Sequence, residues 1–318
     1  MTLSQSCVAA DRIMLGFACI LAILAMFFGG DAGLPERIAP IVVALAALLL
    51  PILGRRSKRL PGQLLYLLYV LPSLYLIYPI AIALGHHLHA HDFDSTLISV
   101  DRFLFGGIDP TRWIYQHLSL APLTVEVLQV CYYAHYLYPL ALGTEFILGK
   151  REAELEHFRL IMVYGSIVSF VGNMLVPAIG PRFTLHEFAN LSKELPGVWL
   201  TDSLRGMLNT AEGIKATMTS SVAALTVFRD AFPSGHVMLT LLNLWTAFHY
   251  RARVRWFLLP LGSGLIVSTI LLRYHYVTDV IAAGLLAALT IWTAPMLARL
   301  VGRTNHLRVR RANQIAAT

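Results

Sequence analysis

Eight apolar runs dominate the chain, near Ile13–Phe28, Ile38–Leu53, Leu64–Leu84, Leu123–Leu148, Phe158–Pro177, His236–Tyr250, Trp256–Leu272 and Val280–Leu300. Most approach the roughly 20 residues that a helix needs to cross a bilayer; the second and sixth are short. With 57% of 318 residues apolar and 14% charged, no water-soluble core could hide these stretches, so the chain is an integral membrane protein. The runs are long and rich in Leu, Ala and Ile rather than alternating, which excludes a closed barrel. The expectation is an all-α, polytopic membrane helix bundle of about eight transmembrane helices.

Basic residues in short loops stay on the cytoplasmic side, and here they alternate along the chain. Arg55, Arg56, Lys58 and Arg59 follow the second run, Lys150 and Arg151 the fourth, Arg251, Arg253 and Arg255 the sixth, and Arg303 to Arg311 the last. All four groups fall on one face if both termini are cytoplasmic. The formal charge of +7 is then mostly topology, and a nucleic-acid partner is not expected. The first run is read as a retained helix, because Gly29 and Asp31 offer no clear cleavage site for a signal peptide. Cys7 is expected in the cytoplasm and Cys19 and Cys131 within apolar runs, so structural disulfides are not expected.

Two segments on the opposite face are long. Gly85–Pro122 holds Leu97, Val100 and Leu104 at helical spacing and Pro110 where a first helical turn tolerates it, which predicts short helices in the membrane interface. Arg182–Ala231 has one amphipathic piece around Leu204, Met207 and Leu208, and is expected to act as a lid.

The chemistry concentrates in Phe-Pro-Ser-Gly-His, Phe232 to His236, and Arg-Tyr-His-Tyr-Val-Thr-Asp, Arg273 to Asp279. Both stand at the start of an apolar run, and the topology puts those two helix N-termini and Arg182 at one membrane boundary. A helix N-terminus offers free N–H groups and a positive dipole end to an anion; Gly235 allows close approach and Ser234 adds a hydroxyl. His275 and Asp279 share a helix face, so the carboxylate can accept one ring N–H and leave the other nitrogen as nucleophile. His236 is placed to protonate a leaving oxygen, and Arg182, helped by Arg273, to capture a phosphoryl group.

These residues resemble the type 2 phosphatidic acid phosphatase superfamily, membrane enzymes that cleave lipid phosphates or diphosphates without metal. The resemblance spans Gly180 to Asp279 in motifs and the last six helices in architecture. It implies two accessory helices in residues 1–60, a six-helix core in 61–302 and a basic tail in 303–318. It further implies that His275 is the nucleophile, Asp279 its orienting partner, His236 the acid and base, and Arg182, Ser234 and Gly235 the phosphate binders, with no cofactor and no metal. The chain departs from the family pattern at Leu175 and Thr269, where the pattern has a Lys and an Arg; Arg273 and Arg229 are the candidate replacements. This thinner pattern, with Asp101-Arg-Phe-Leu-Phe-Gly106, looks like the inositol phosphorylceramide synthase branch, which implies transfer to a polyol such as inositol as an alternative to hydrolysis.

Other polar residues carry weaker signals. His86, His87, His89 and His91, with Asp92 and Asp94 nearby, read as a wet interfacial tract rather than a zinc site. His135, in the fourth run, and Asn173 are candidates for a substrate cavity or acceptor site. The expected partners are a lipid phosphate or diphosphate, a polyol acceptor and membrane lipids, with the oligomeric state open. The expected location is a bacterial inner membrane with the site facing the periplasm. The rival readings are a catalytically inactive lipid-phosphate-binding protein and a transporter, the latter disfavoured because the ionisable residues gather at one boundary instead of tracing a path.

Overall fold

The structure, a computed structural model, describes residues 3–28, 33–56, 69–89, 91–215 and 217–315. Gly29 and Asp31, Lys58 and Arg59, the boundary at residue 60 and the start of the third run at 64–68 lie outside the described residues. So do the side chains of Cys7, Arg55, Arg56 and the basic tail. The described residues form helices and no strand.

Helices α1 (Leu3–Phe28), α2 (Leu34–Arg56) and α3 (Val70–Leu88) lead into two short ones, α4 (Asp94–Leu104) and α5 (Pro110–His117). The fourth run folds as α6 (Pro122–Tyr133) and α7 (Leu137–Leu148), followed by α8 (Glu152–Leu175). The long segment that follows contains α9 (Pro181–Thr184), α10 (Leu191–Glu194), α11 (Thr201–Ala211) and α12 (Ser220–Thr226). Helices α13 (Gly235–His249), α14 (Arg255–Leu271) and α15 (Val277–Ile315) complete the chain.

Helix α8 is the hub, packing against α1, α3, α13 and α15. Its Phe158, Leu160 and Ile161 meet Ile77, Leu142, Leu242 and Ala287 in one continuous core. Phe27, Leu285 and Trp292 point outward and are exposed, as expected of a surface that faces lipid rather than water. Among the described residues four helices are long and apolar enough to cross a membrane, Ala9–Phe27, Val70–Leu88, Glu152–Leu175 and Val277–Val301; Arg37–Leu50 and Arg255–Leu271 are shorter apolar helices. Helix α13 spans 15 residues.

The fourth run departs from the single helix expected of it. A 3-10 turn, Ala134–Tyr136, separates α6 from α7. Pro139 explains the break: it lacks an N–H, and its ring crowds the carbonyl four residues back, that of His135. The turn carries His135 into the interior at the site described below.

The first helix is tied to the hub by charge as well as packing. Arg159 of α8 pairs with Asp11 of α1 at 2.9 Å, both side chains buried, and the Tyr69 hydroxyl donates to the same carboxylate at 2.5 Å. Arg159→Leu removes one member of this buried ion pair and is expected to cost about 3–5 kcal/mol. The check is thermal unfolding in detergent; an unchanged midpoint would remove this contact from the account.

Candidate active site

Three backbone devices bring the motifs together. Helix α14 ends in a Schellman-type reversal: Arg273 adopts φ 65°, and Tyr274 N–H and His275 N–H donate to the Thr269 carbonyl at 2.9 and 3.0 Å. Helix α15 then starts at once. Asp279, in its first turn, reaches back to accept from Tyr276 N–H at 2.9 Å, the acidic half of a capping box. Asp101 of α4 caps the same end from outside, accepting from Val277 N–H at 3.1 Å and Thr278 N–H at 2.8 Å. Helix α13 is capped by Ser234, whose Oγ accepts from Val237 N–H at 3.3 Å. Ser234 N–H donates to the Asp279 carbonyl at 3.3 Å, which joins the two helix starts.

Asp94, also on α4, holds the Arg182 loop. It accepts from Ile179 N–H at 3.0 Å, Gly180 N–H at 2.9 Å and the Tyr276 hydroxyl at 2.7 Å. Gly180 has φ 90°, and a Cβ there would lie 2.9 Å from the Tyr274 carbonyl oxygen; only glycine fits the turn that delivers Arg182. The short helix expected to lie in the interface therefore also positions the site through its buried face, while Phe103 projects outward.

His275 is buried. Its Nδ1 lies 2.8 Å from the Ala231 carbonyl and 3.3 Å from Asp279 Oδ2. A carbonyl can only accept, so Nδ1 carries the proton and Nε2 holds the free lone pair. Asp279 is thus the second of two orienting acceptors, the first being backbone. Burial holds the His275 imidazole down at about 4, against the Asp230 carboxylate and the Ala231 carbonyl, which pull the other way; the ring is neutral at ordinary pH.

The His236 ring stands 6.2 Å from that of His275. It stacks on Tyr132 at 4.6 Å, with the phenol 3.3 Å from its Nδ1, and meets the His135 ring edge-on at 4.5 Å. His135 Nδ1 donates to the Tyr132 carbonyl at 2.8 Å. Arg182 is buried, its guanidinium over the Tyr274 ring at 5.2 Å, and its Nη1 has no hydrogen-bond partner among the described residues. One cluster therefore holds His275, Asp279, His236, Arg182 and His135, with Ser234 and Gly235 at the α13 start.

The remaining candidates stand elsewhere. Asn173 anchors the loop ahead of α13, donating to the Asp230 and Phe232 carbonyls, each at 3.0 Å. Arg229 donates to the Leu225 and Val227 carbonyls and pairs with Asp92 at 3.4 Å. Arg273 pairs with Glu194 at 2.5 Å and lies over the Tyr115 ring at 4.4 Å. It lines a cavity of about 260 Å³ bounded by α5, Glu194 and Leu195. The guanidinium groups of Arg229 and Arg273 are thus engaged outside the cluster. Leu175 is exposed and Thr269 buried. In the histidine tract, Asp92 and Asp94 are taken by the contacts above, and no group of residues able to hold a metal occurs among the described residues.

Sequence reading missed two carboxylates. Glu212, just past α11, forms a buried ion pair with Arg182. Asp230 accepts from the Tyr78 hydroxyl and lies within electrostatic reach of both His275 and Arg182. Burial pushes both carboxyls up, each also raised or lowered by its charged neighbours. Neither carries a motif; both stand in the long segment before α13, where only the fold reveals their partners.

No curated protein and no solved structure matches the chain. The family model described as the PAP2 superfamily matches residues 95–293, from α4 to the middle of α15. That stretch includes every member of the histidine and arginine cluster, and by it the chain belongs to the PAP2 superfamily, whose membership supports a phosphatase-type phosphoryl-transfer function.

Proposed function

We propose that the protein transfers the phosphoryl group of a membrane lipid phosphate or diphosphate through a covalent phosphohistidine at His275. The observation that carries this reading is the bond from His275 Nδ1 to the Ala231 carbonyl, which leaves Nε2 unprotonated in a ring that lies 6.2 Å from that of His236 and within electrostatic reach of Arg182. Nε2 attacks phosphorus as the bond to the leaving oxygen breaks, and His236 gives that oxygen a proton. Water or an alcohol then attacks the phosphohistidine, His236 takes its proton, and the P–N electron pair returns to Nε2. Arg182 holds the non-bridging oxygens, and the free N–H groups at the α13 start add to the anion site. None of these steps requires a metal.

The cluster works on the non-cytoplasmic side, a reading that the alternation of basic loops supports, with the lipid tail entering sideways between helices. The charge of the cluster favours transfer over hydrolysis only weakly: Arg182 is its one guanidinium among the described residues. A catalytically inactive lipid-phosphate-binding protein is the second reading, favoured by the same shortage of cations.

The deciding experiment is turnover in detergent with EDTA over a panel of lipid phosphates and diphosphates, with and without inositol or glycerol, following free phosphate and new phosphodiester. Free phosphate establishes a phosphatase and new phosphodiester a transferase. Neither product from any donor, with anion binding retained, supports the inactive binder. Because His275 must be neutral to attack, the acid limb of kcat/KM is expected near pH 4, the value to which burial lowers this imidazole, and not in the ordinary imidazole range of about 6.5. A limb near 6.5 would assign the titration to another group.

A further inference from the structure

The contact that holds Arg182 is an unusual one for a phosphate anchor. Its Nη2 is taken by Glu212, a carboxylate buried with it. The segment that delivers Glu212 is fixed rather than loose. Glu126 of α6 accepts from the backbone N–H groups of Val198, Leu200 and Thr201 and from the Thr201 hydroxyl, at 2.8, 2.5, 3.3 and 2.7 Å. The Tyr133 hydroxyl donates to the Leu204 carbonyl at 2.6 Å, and Ile214 is buried against Ala223 and Val227. Helix α11 is thus docked at both ends, and Glu212 leaves it through Gly213 at φ 80°.

We propose that Glu212 is the counter-ion that an incoming phosphoryl group displaces from Arg182, taking up one proton as it yields. This rests on the reading of Arg182 as the phosphate anchor. With Nη2 held by a buried carboxylate and only Nη1 open, the guanidinium cannot turn both arms to two phosphoryl oxygens. Once the phosphate has taken the cation, Glu212 stands beside an anion and Asp230 with no positive partner, and a carboxylate so placed protonates rather than remain charged. Burial already raises its affinity for a proton before any ligand arrives. The groups facing it are Arg182 on α9, Asp230 ahead of α13, Tyr78 on α3, Tyr132 and Tyr133 on α6 and Tyr274 ahead of α15. The ordinary range of phenols, about 10, lies above that of carboxyls; His236 and His275 are reached through Arg182. Glu212 is a specificity device: it keeps Arg182 neutralised against weak anions and releases it to a group that supplies enough negative charge to replace a carboxylate.

The test is sulfate binding to the full-length protein in detergent, because sulfate is a tetrahedral dianion that does not itself titrate near neutrality. Wild-type affinity is expected to weaken by roughly tenfold per pH unit above neutrality, as binding of one proton requires. Glu212→Gln is expected to remove that slope and to bind about tenfold more tightly at the upper end of the range. Calorimetry of the wild type above neutrality, where the ligand-free Glu212 carboxyl is ionised, in two buffers of different ionisation heat needs no variant and is expected to show about one proton taken up per sulfate. Zero protons, equal slopes in wild type and variant, weaker binding by the variant at every pH, or no sulfate binding by the wild type each overturns the proposal. Proton-linked sulfate binding without turnover of any lipid donor supports the displacement and faults the reaction assigned above.

Discussion

Replacing His275 with alanine is expected to lower turnover by at least about 10⁴-fold while the protein still inserts and still binds anions. The imidazole supplies the bond-forming atom, and loss of a covalent nucleophile is not shared out among its neighbours. His236 cannot substitute, since its Nδ1 meets the Tyr132 phenol and its ring is wedged between Tyr132 and His135. Asp279→Asn is expected to be milder, about a hundredfold. An aspartate that alone fixes its histidine is worth about 10⁴ in rate, but here the Ala231 carbonyl at 2.8 Å also holds the ring, and an Asn side-chain oxygen can still accept from Tyr276 N–H. Equal losses in the two variants would show that the backbone contact contributes nothing. Steady-state kinetics on the same donor, with sulfate protection as a folding control, separates these outcomes.

Arg182→Lys is expected to lower kcat/KM by about 10²–10³-fold, the magnitude seen when a single preorganised donor to a developing anion is lost. Lysine keeps the charge and can still pair with Glu212, so the site should stay folded. It loses the planar fork that meets two oxygens at once. The loss should be large because Arg229 and Arg273 are committed to Asp92 and Glu194, leaving no second guanidinium in the cluster among the described residues. A drop of less than about threefold would mean that the α13 start binds the phosphoryl group unaided.

What was legible in the sequence follows a physical line. Pro233-Ser234-Gly235-His236 and His275 to Asp279 are local signals, since cap, glycine and histidine sit within one helical turn, and the alternation of basic loops put them at one end of the bundle with Arg182. The short helices α4, α5 and α11 were legible from apolar spacing and Pro110. The break at Ala134–Tyr136 was present in Pro139 but masked by the apolarity of the run. The roles of Asp94, Asp101, Glu126 and Glu212 were not legible. Each acts on backbone or charge at least 30 residues away in sequence, as Asp101 does on Thr278 and Glu212 on Arg182, and no local pattern encodes such a partner. For the same reason Arg273, two residues from His275, read as a site residue, although the reversal that ends α14 sends its side chain to Glu194 and Tyr115.

The central claim is the phosphohistidine, and rapid acid-free quenching of enzyme mixed with a donor labelled in its transferred phosphoryl group tests it most directly. The account predicts a label that is stable to base, labile to acid, and located by peptide mapping on Nε2 of His275. Label on His236, or full turnover with no labelled protein at any quench time, would contradict it.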